Sequence, residues 1–195
     1  MIYLFYFFNI VEIRKVIIMK NTIHINLWAG PSTGKSGVSG KLFGKFKENS
    51  VDCELVREVA KDYAWNGTLY NTEQLVITAK QYERAAKMHG KVDFVIMDTS
   101  VLMGALYCRS DYKNELLHIV KMLIKDWNMV HYFLERDLSK DYESNGRLQN
   151  LTQAIEKDFE IKKFLKEQNI NYKQLSVIKA EEQIYNELMK DYKIK

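Results

Sequence analysis

The clearest chemistry in this chain lies in eight consecutive residues, Ala29-Gly30-Pro31-Ser32-Thr33-Gly34-Lys35-Ser36. A small residue, four free positions and then Gly-Lys-Ser is the spacing of a phosphate-binding loop. Glycines let successive backbone N–H groups turn inward around a polyphosphate, and the helix that follows adds partial positive charge. Lys35 would then reach the β- and γ-phosphates, while the Ser36 hydroxyl would ligate Mg²⁺. Gly37 extends the set of expected nucleotide contacts into the helix start. ATP and Mg²⁺ are the ligands this chemistry implies.

Other groups can complete such a site. Phe94-Val95-Ile96-Met97-Asp98 ends an apolar run on a carboxylate, which suits Asp98 to holding Mg²⁺ or its water shell. Capping of the next segment by Asp98-Thr99-Ser100 is the competing role. Glu58, after Arg57, is a candidate general base for a substrate hydroxyl. A solvated carboxylate at a helix start would have the same sequence. Gln81 and Tyr82 are candidates for gripping a planar base, with Arg57 nearby, although core packing accounts for such residues equally well. Arg136 and Arg147 bound a polar stretch that can act as a lid, where an arginine offsets the charge of a transferring phosphoryl group.

Alternating elements are needed to position these groups. Thr22–Ala29 is a β-prone run leading into the loop, and Gly34–Lys47 carries Val38, Leu42, Phe43 and Phe46 on one helical face. Short strands are expected at Asp52–Arg57, Val92–Met97, Met129–Leu134 and Asn171–Val177. Helices are expected at Asn71–His89 (capped by Asn71 or Thr72), Val101–Tyr107, Asn114–Lys125, Leu151–Gln168 and Glu181–Tyr192. Strands separated by helices imply βαβ units, hence an α/β fold with a parallel five-stranded sheet covered on both faces. Near-continuous apolar runs such as VDFVIM are the signature of a strand buried on both faces.

Composition supports this reading. The chain has one proline, Pro31, and five of its nine glycines (Gly30, Gly34, Gly37, Gly40, Gly44) fall within fifteen residues around it. That scarcity elsewhere excludes collagen-like and Pro/Gly-rich disordered chains. Gly37, Gly40 and Gly44 lie inside the expected helix, where each costs about 1 kcal/mol relative to alanine; close packing of that helix on the sheet is the expected reason. The net charge of +4 has its signs interleaved, with no basic stripe of the kind nucleic-acid binders show. Cys53 and Cys108 form no metal or redox motif, so a reduced, cytoplasmic setting is expected.

Met1–Ile18 stands apart. Its apolar run of eleven residues is too short to span a membrane, which takes about 20, and its charges follow the run instead of preceding it as in a signal peptide. Translation from Met19 is the expected explanation, and a peripheral membrane anchor is the rival. Residues 19–195 are expected to form one domain with a lid around residues 136–150.

From Thr22 onward the chain resembles the ribosylnicotinamide kinase domain of the bacterial NadR family and its phage relatives. The resemblance rests on GPSTGKS, LVREVAKDY, QLVITAKQYERAAK, VIMDTSVLMGALYC, YESNGRLQ and NINYKQL, in that order. It implies a three-layer P-loop fold and an ATP- and Mg²⁺-dependent kinase acting on a ribosyl hydroxyl. Carried over, Lys35 and Ser36 serve the phosphates, Asp98 the metal, Glu58 the acceptor region and Arg147 the lid. The lid departs from the family: Asp141-Tyr142-Glu143-Ser144-Asn145-Gly146 replaces a tryptophan-containing stretch that ends in an acidic-glycine pair. A small nucleoside-like acceptor, nicotinamide riboside first among them, is the leading expectation. Hydroxymethylated bases in DNA as acceptor, and a nucleotide switch without acceptor, are the alternatives.

Overall fold

The computed structural model describes residues 19–109, 111–139 and 150–192. The amino-terminal extension, Arg147, the Ser144-Asn145-Gly146 loop and all but the ends of the expected lid lie outside them. The chain alternates β1 (Ile23–Trp28), α1 (Lys35–Glu48), β2 (Cys53–Val56), α2 (Val59–Trp65), α3 (Gln74–Ala86) and β3 (Phe94–Met97). It continues with α4 (Met103–Tyr107), α5 (Lys113–Leu123), β4 (Asn128–Glu135), α6 (Leu151–Glu167), β5 (Lys173–Ser176) and α7 (Ala180–Asp191).

All strand pairings are parallel, and the sheet order is β2-β3-β1-β4-β5. This is the three-layer α/β architecture that the alternation implied. One face of the sheet packs Ile25, Leu27, Phe94 and Ile96 against Val38, Leu42 and Phe46 of α1 and Ile184 and Leu188 of α7. The other packs Val95, Met97 and Phe133 against Ala85 of α3, Leu116 and Val120 of α5, and Ile161 and Leu165 of α6. Phe94 to Met97 are all buried, so the period-2 alternation vanishes in β3 because neither face meets water.

The strand order matters for chemistry. β3 inserts between β1 and β2, so the carboxyl ends of β1 and β3 adjoin. The chain leaves β1 toward one side of the sheet and later returns to the other, which opens a crevice at those ends. The loop after β1 and Asp98 after β3 both lie there.

Local expectations needed three corrections. Gly37, Gly40 and Gly44 do not pack on the sheet: a Cβ added at any of them meets nothing within 4 Å among the described residues. They lie at i, i+3 and i+7 on the outer face of α1, whereas Val38, Leu42 and Phe46 face inward. Asn71 and Thr72 do not cap α3. A 3₁₀ turn spans Leu69–Asn71, and Glu73 precedes the helix without a side-chain capping bond. A short helix, α2, also fills the segment after β2, where the sequence shows too few turns for a clear period.

Candidate active site

The loop's backbone departs from ordinary geometry at two positions, Ser32 (φ 56°) and Gly34 (φ 104°). Left-handed residues in alternation turn N–H groups to one side and form an anion-binding concavity. Gly34 is also the N-cap of α1, so the helix dipole opens directly on that concavity. Lys35 folds across the loop, its Nζ donating to the carbonyls of Ala29 (2.8 Å) and Gly30 (2.9 Å). The Thr33 hydroxyl donates to the Gly30 carbonyl at 3.0 Å. These bonds hold the loop in a curved shape around its own lysine.

A second set of contacts anchors the loop to α6. Asp158 Oδ1 accepts from the Gly30 N–H. Its other oxygen accepts from Arg136 Nη2 at 3.1 Å, and the same guanidinium donates to the Pro31 carbonyl at 2.8 Å. The Arg136 side chain is 8% exposed and that of Asp158 16%. Arg136 thus meets the loop backbone and neutralises a half-buried carboxylate. A Cβ on Gly30 would stand 2.6 Å from the Ala154 carbonyl oxygen, so only glycine lets the loop approach α6 this closely.

Across the crevice, Ser36 Oγ donates to Asp98 Oδ2 at 2.7 Å. The Asp98 side chain is 4% exposed, and its Oδ1 is buried without a hydrogen-bond partner, as are Thr99 Oγ1 and Ser100 Oγ. A buried acceptor without a partner is costly unless something binds it. A hydroxyl and a carboxylate with an unused oxygen form a hard oxygen donor set, which fits Mg²⁺ together with phosphate oxygens and water. The residues present therefore fit the metal that the loop chemistry implies.

Lys61, on α2, reaches the same pair. Its Nζ lies 3.1 Å from Asp98 Oδ2, contacts Ser36 Oγ, and stands 3.6 Å from Glu58 Oε2. Glu58 precedes α2 without using its carboxylate as a cap, which leaves that group facing a cavity of about 410 Å³. Lys35, Glu58, Lys61, Gln81, Ser100 and Arg109 are in its wall, along with Tyr70, Ile77 and Met103.

The other sequence candidates divide. Gln81 lines the cavity, but its side-chain oxygen accepts from the Val59 N–H at 2.9 Å and its nitrogen donates to the Thr99 carbonyl at 3.2 Å. It ties the start of α2 to the segment after β3. Tyr82 is placed elsewhere, its ring stacked on Trp127 at 5.6 Å and absent from the cavity wall. Arg57 is exposed and is likewise outside that wall. Lys61 and Asp158 are the residues sequence reasoning missed. Lys61 lies three residues after Glu58, hence on the same helical face, and that was the available signal; nothing local points from Asp158 to the loop.

The family described as AAA domain matches residues 24–183. The chain belongs to that family. Among solved structures, this AAA domain is similar to the NadR protein in complex with NAD and AMP-PNP (TM-score 0.62, 14% identity, 91% of this chain and 51% of that one). It is similar to the NadR protein in complex with NR (TM-score 0.61, 14% identity, 91% and 53%). Deoxyadenosine kinase from M. mycoides with dCMP and dCDP also matches (TM-score 0.53, 14% identity, 87% and 98%). The chain thus spans about half the length of the NadR proteins it matches. No curated protein sequence matches it significantly. These likenesses establish a P-loop fold of the kind found in nucleoside kinases. No described helix is long and apolar enough to cross a membrane.

Proposed function

We propose that the protein is an ATP-dependent phosphotransferase that moves the γ-phosphoryl group to a hydroxyl of a small nucleoside-like acceptor, with nicotinamide riboside the first candidate. The observation that carries this reading is one cavity of about 410 Å³ with the loop lysine and the Glu58 carboxylate both in its wall. That volume falls within the roughly 300–1,000 Å³ of small-molecule sites, so it suits a single nucleoside better than a polymer. The NadR and deoxyadenosine kinase likenesses support the same substrate class.

Each residue then has a task. The loop N–H groups and Lys35 hold the β- and γ-phosphates and stabilise charge as the phosphoryl group moves. Ser36 and Asp98 would hold Mg²⁺, which when bound neutralises phosphate charge. Glu58 accepts the proton of the acceptor hydroxyl as its oxygen bonds to the γ-phosphorus and the bond to the β–γ bridging oxygen breaks, releasing ADP. Gln81 keeps Glu58's helix in place through the Val59 N–H. A cytoplasmic setting, where ATP is abundant, belongs to this reading.

The test is transfer from γ-labelled ATP to a panel of nucleosides, nicotinamide riboside and hydroxymethylated DNA. Label in a small product is expected. Label retained on DNA, or phosphate release alone, would overturn the small-acceptor reading. Glu58→Gln keeps size and removes the carboxylate, and should lower kcat by about 10²–10⁴.

A further inference from the structure

The ammonium of Lys61 occupies the place where a divalent cation would be expected. It contacts the Ser36 hydroxyl and stands 3.1 Å from Asp98 Oδ2, the two groups that fit Mg²⁺. Asp98 is almost wholly buried, and a buried carboxylate needs a compensating charge. Here Lys61 supplies it, from a side chain only 22% exposed. Glu58 lies 3.6 Å from the same nitrogen on its other side. Two carboxylates therefore compete for one lysine, one at the metal position and one in the cavity wall.

We propose that Lys61 is a positioning residue that holds Ser36 and Asp98 together in the nucleotide-free protein and moves to Glu58 when a divalent cation takes that pair. A metal ion held by the Ser36 hydroxyl and Asp98 and an ammonium that contacts the same hydroxyl and lies on Asp98 Oδ2 repel each other strongly at such short range. Arrival of the metal then displaces Lys61, and Glu58, just ahead of α2, is the acceptor already within reach. The displaced ammonium then lies along the cavity, whose wall Lys61 and Glu58 both form. Loading of the metal site is thereby coupled to the charge that an acceptor meets. Binding of bare metal is correspondingly weak, because each ion must first compete with a tethered cation.

This inference rests on the metal role assigned to Ser36 and Asp98 above, and its test separates the two. The probe is Mn²⁺ alone, titrated into the full-length nucleotide-free protein and followed by the loss of the free-ion EPR signal. Lys61→Met keeps the apolar stem and removes the charge. It should tighten Mn²⁺ binding by at least about tenfold, while Lys61→Arg should retain the weak binding of the parent. Circular dichroism checks that each variant is folded. Equal Mn²⁺ affinity in parent and Lys61→Met, with binding abolished by Asp98→Asn, would overturn the role of Lys61 and leave the metal site standing. Mn²⁺ binding that survives Asp98→Asn in the Lys61→Met background would overturn both.

Discussion

Acidification should destabilise this protein above the range in which carboxylates titrate, because one buried and one partly buried histidine are held in a form that cannot accept a proton cheaply. His24, on β1, is fully buried; its Nε2 faces His89 Nδ1 at 3.0 Å and its ring stacks on Trp127 at 4.0 Å. Burial, with a smaller push from His89, lowers its pKa from 6.5 to about 3. His131, on β4, accepts from the Trp28 indole N–H at 3.1 Å, and burial lowers its pKa from 6.5 to about 4. In both, the folded pKa lies below the unfolded one. The unfolded chain therefore takes up protons first as pH falls, and stability is lost from about pH 6.5 downward. The slope approaches about 1.4 kcal/mol per pH unit for each group, and because the unfolded histidine is half protonated at pH 6.5 the drop to pH 5 costs somewhat under about 2 kcal/mol per histidine, or about 3 kcal/mol together. That is a large part of the 5–15 kcal/mol typical of a domain. Urea unfolding at pH 7.5, 6.5, 6 and 5, read by tryptophan fluorescence and far-UV circular dichroism, measures it directly. His131→Gln keeps an acceptor for Trp28 and should remove about half of the slope. A urea midpoint unchanged between pH 7.5 and 5, or an undiminished slope in His131→Gln, would refute this reasoning.

The exposed face of α1 and the Asp158–Arg136 pair each give a further test. Gly40→Ala should raise stability by up to about 1 kcal/mol in thermal or urea unfolding, since the added methyl meets open space on an exposed helical face. Asp158→Asn leaves the Arg136 guanidinium short of its counter-charge beside the loop. It should cost about 3 kcal/mol of stability and weaken binding of a fluorescent ATP analogue. The Glu58→Gln and Lys61 variants described above test the proton-accepting and the metal-linked roles.

Much of the loop was legible because its geometry is set by residues adjacent in sequence. Gly34 adopts a positive φ and opens α1, as a Gly-Lys-Ser motif between a strand and a helix demands. The buried strands were equally readable: an unbroken apolar run such as that of β3 suits a strand covered on both sides. Element ends were less so. Leu69–Asn71 forms a 3₁₀ turn in a stretch whose polar residues also suit a helix cap. The glycines of α1 show the opposite failure. Composition marks them as unusual, but which face of the helix they occupy relative to the sheet depends on how Val38, Leu42 and Phe46 pack.

The sequence by itself determined a phosphate-binding loop, a parallel α/β sheet and an acidic residue at the end of a buried strand. Each follows from spacing over a few residues or from the periods of helix and strand. Tertiary structure alone decided which of those ends meet. By inserting β3 between β1 and β2, it set Asp98 against Ser36 and brought Lys61 and Glu58 to the same crevice. It also delivered Asp158, on α6, to the Gly30 N–H, and carried Tyr82 away to Trp127. Periodicity reports the face on which a side chain lies, whereas strand order and helix packing choose its neighbours across the chain.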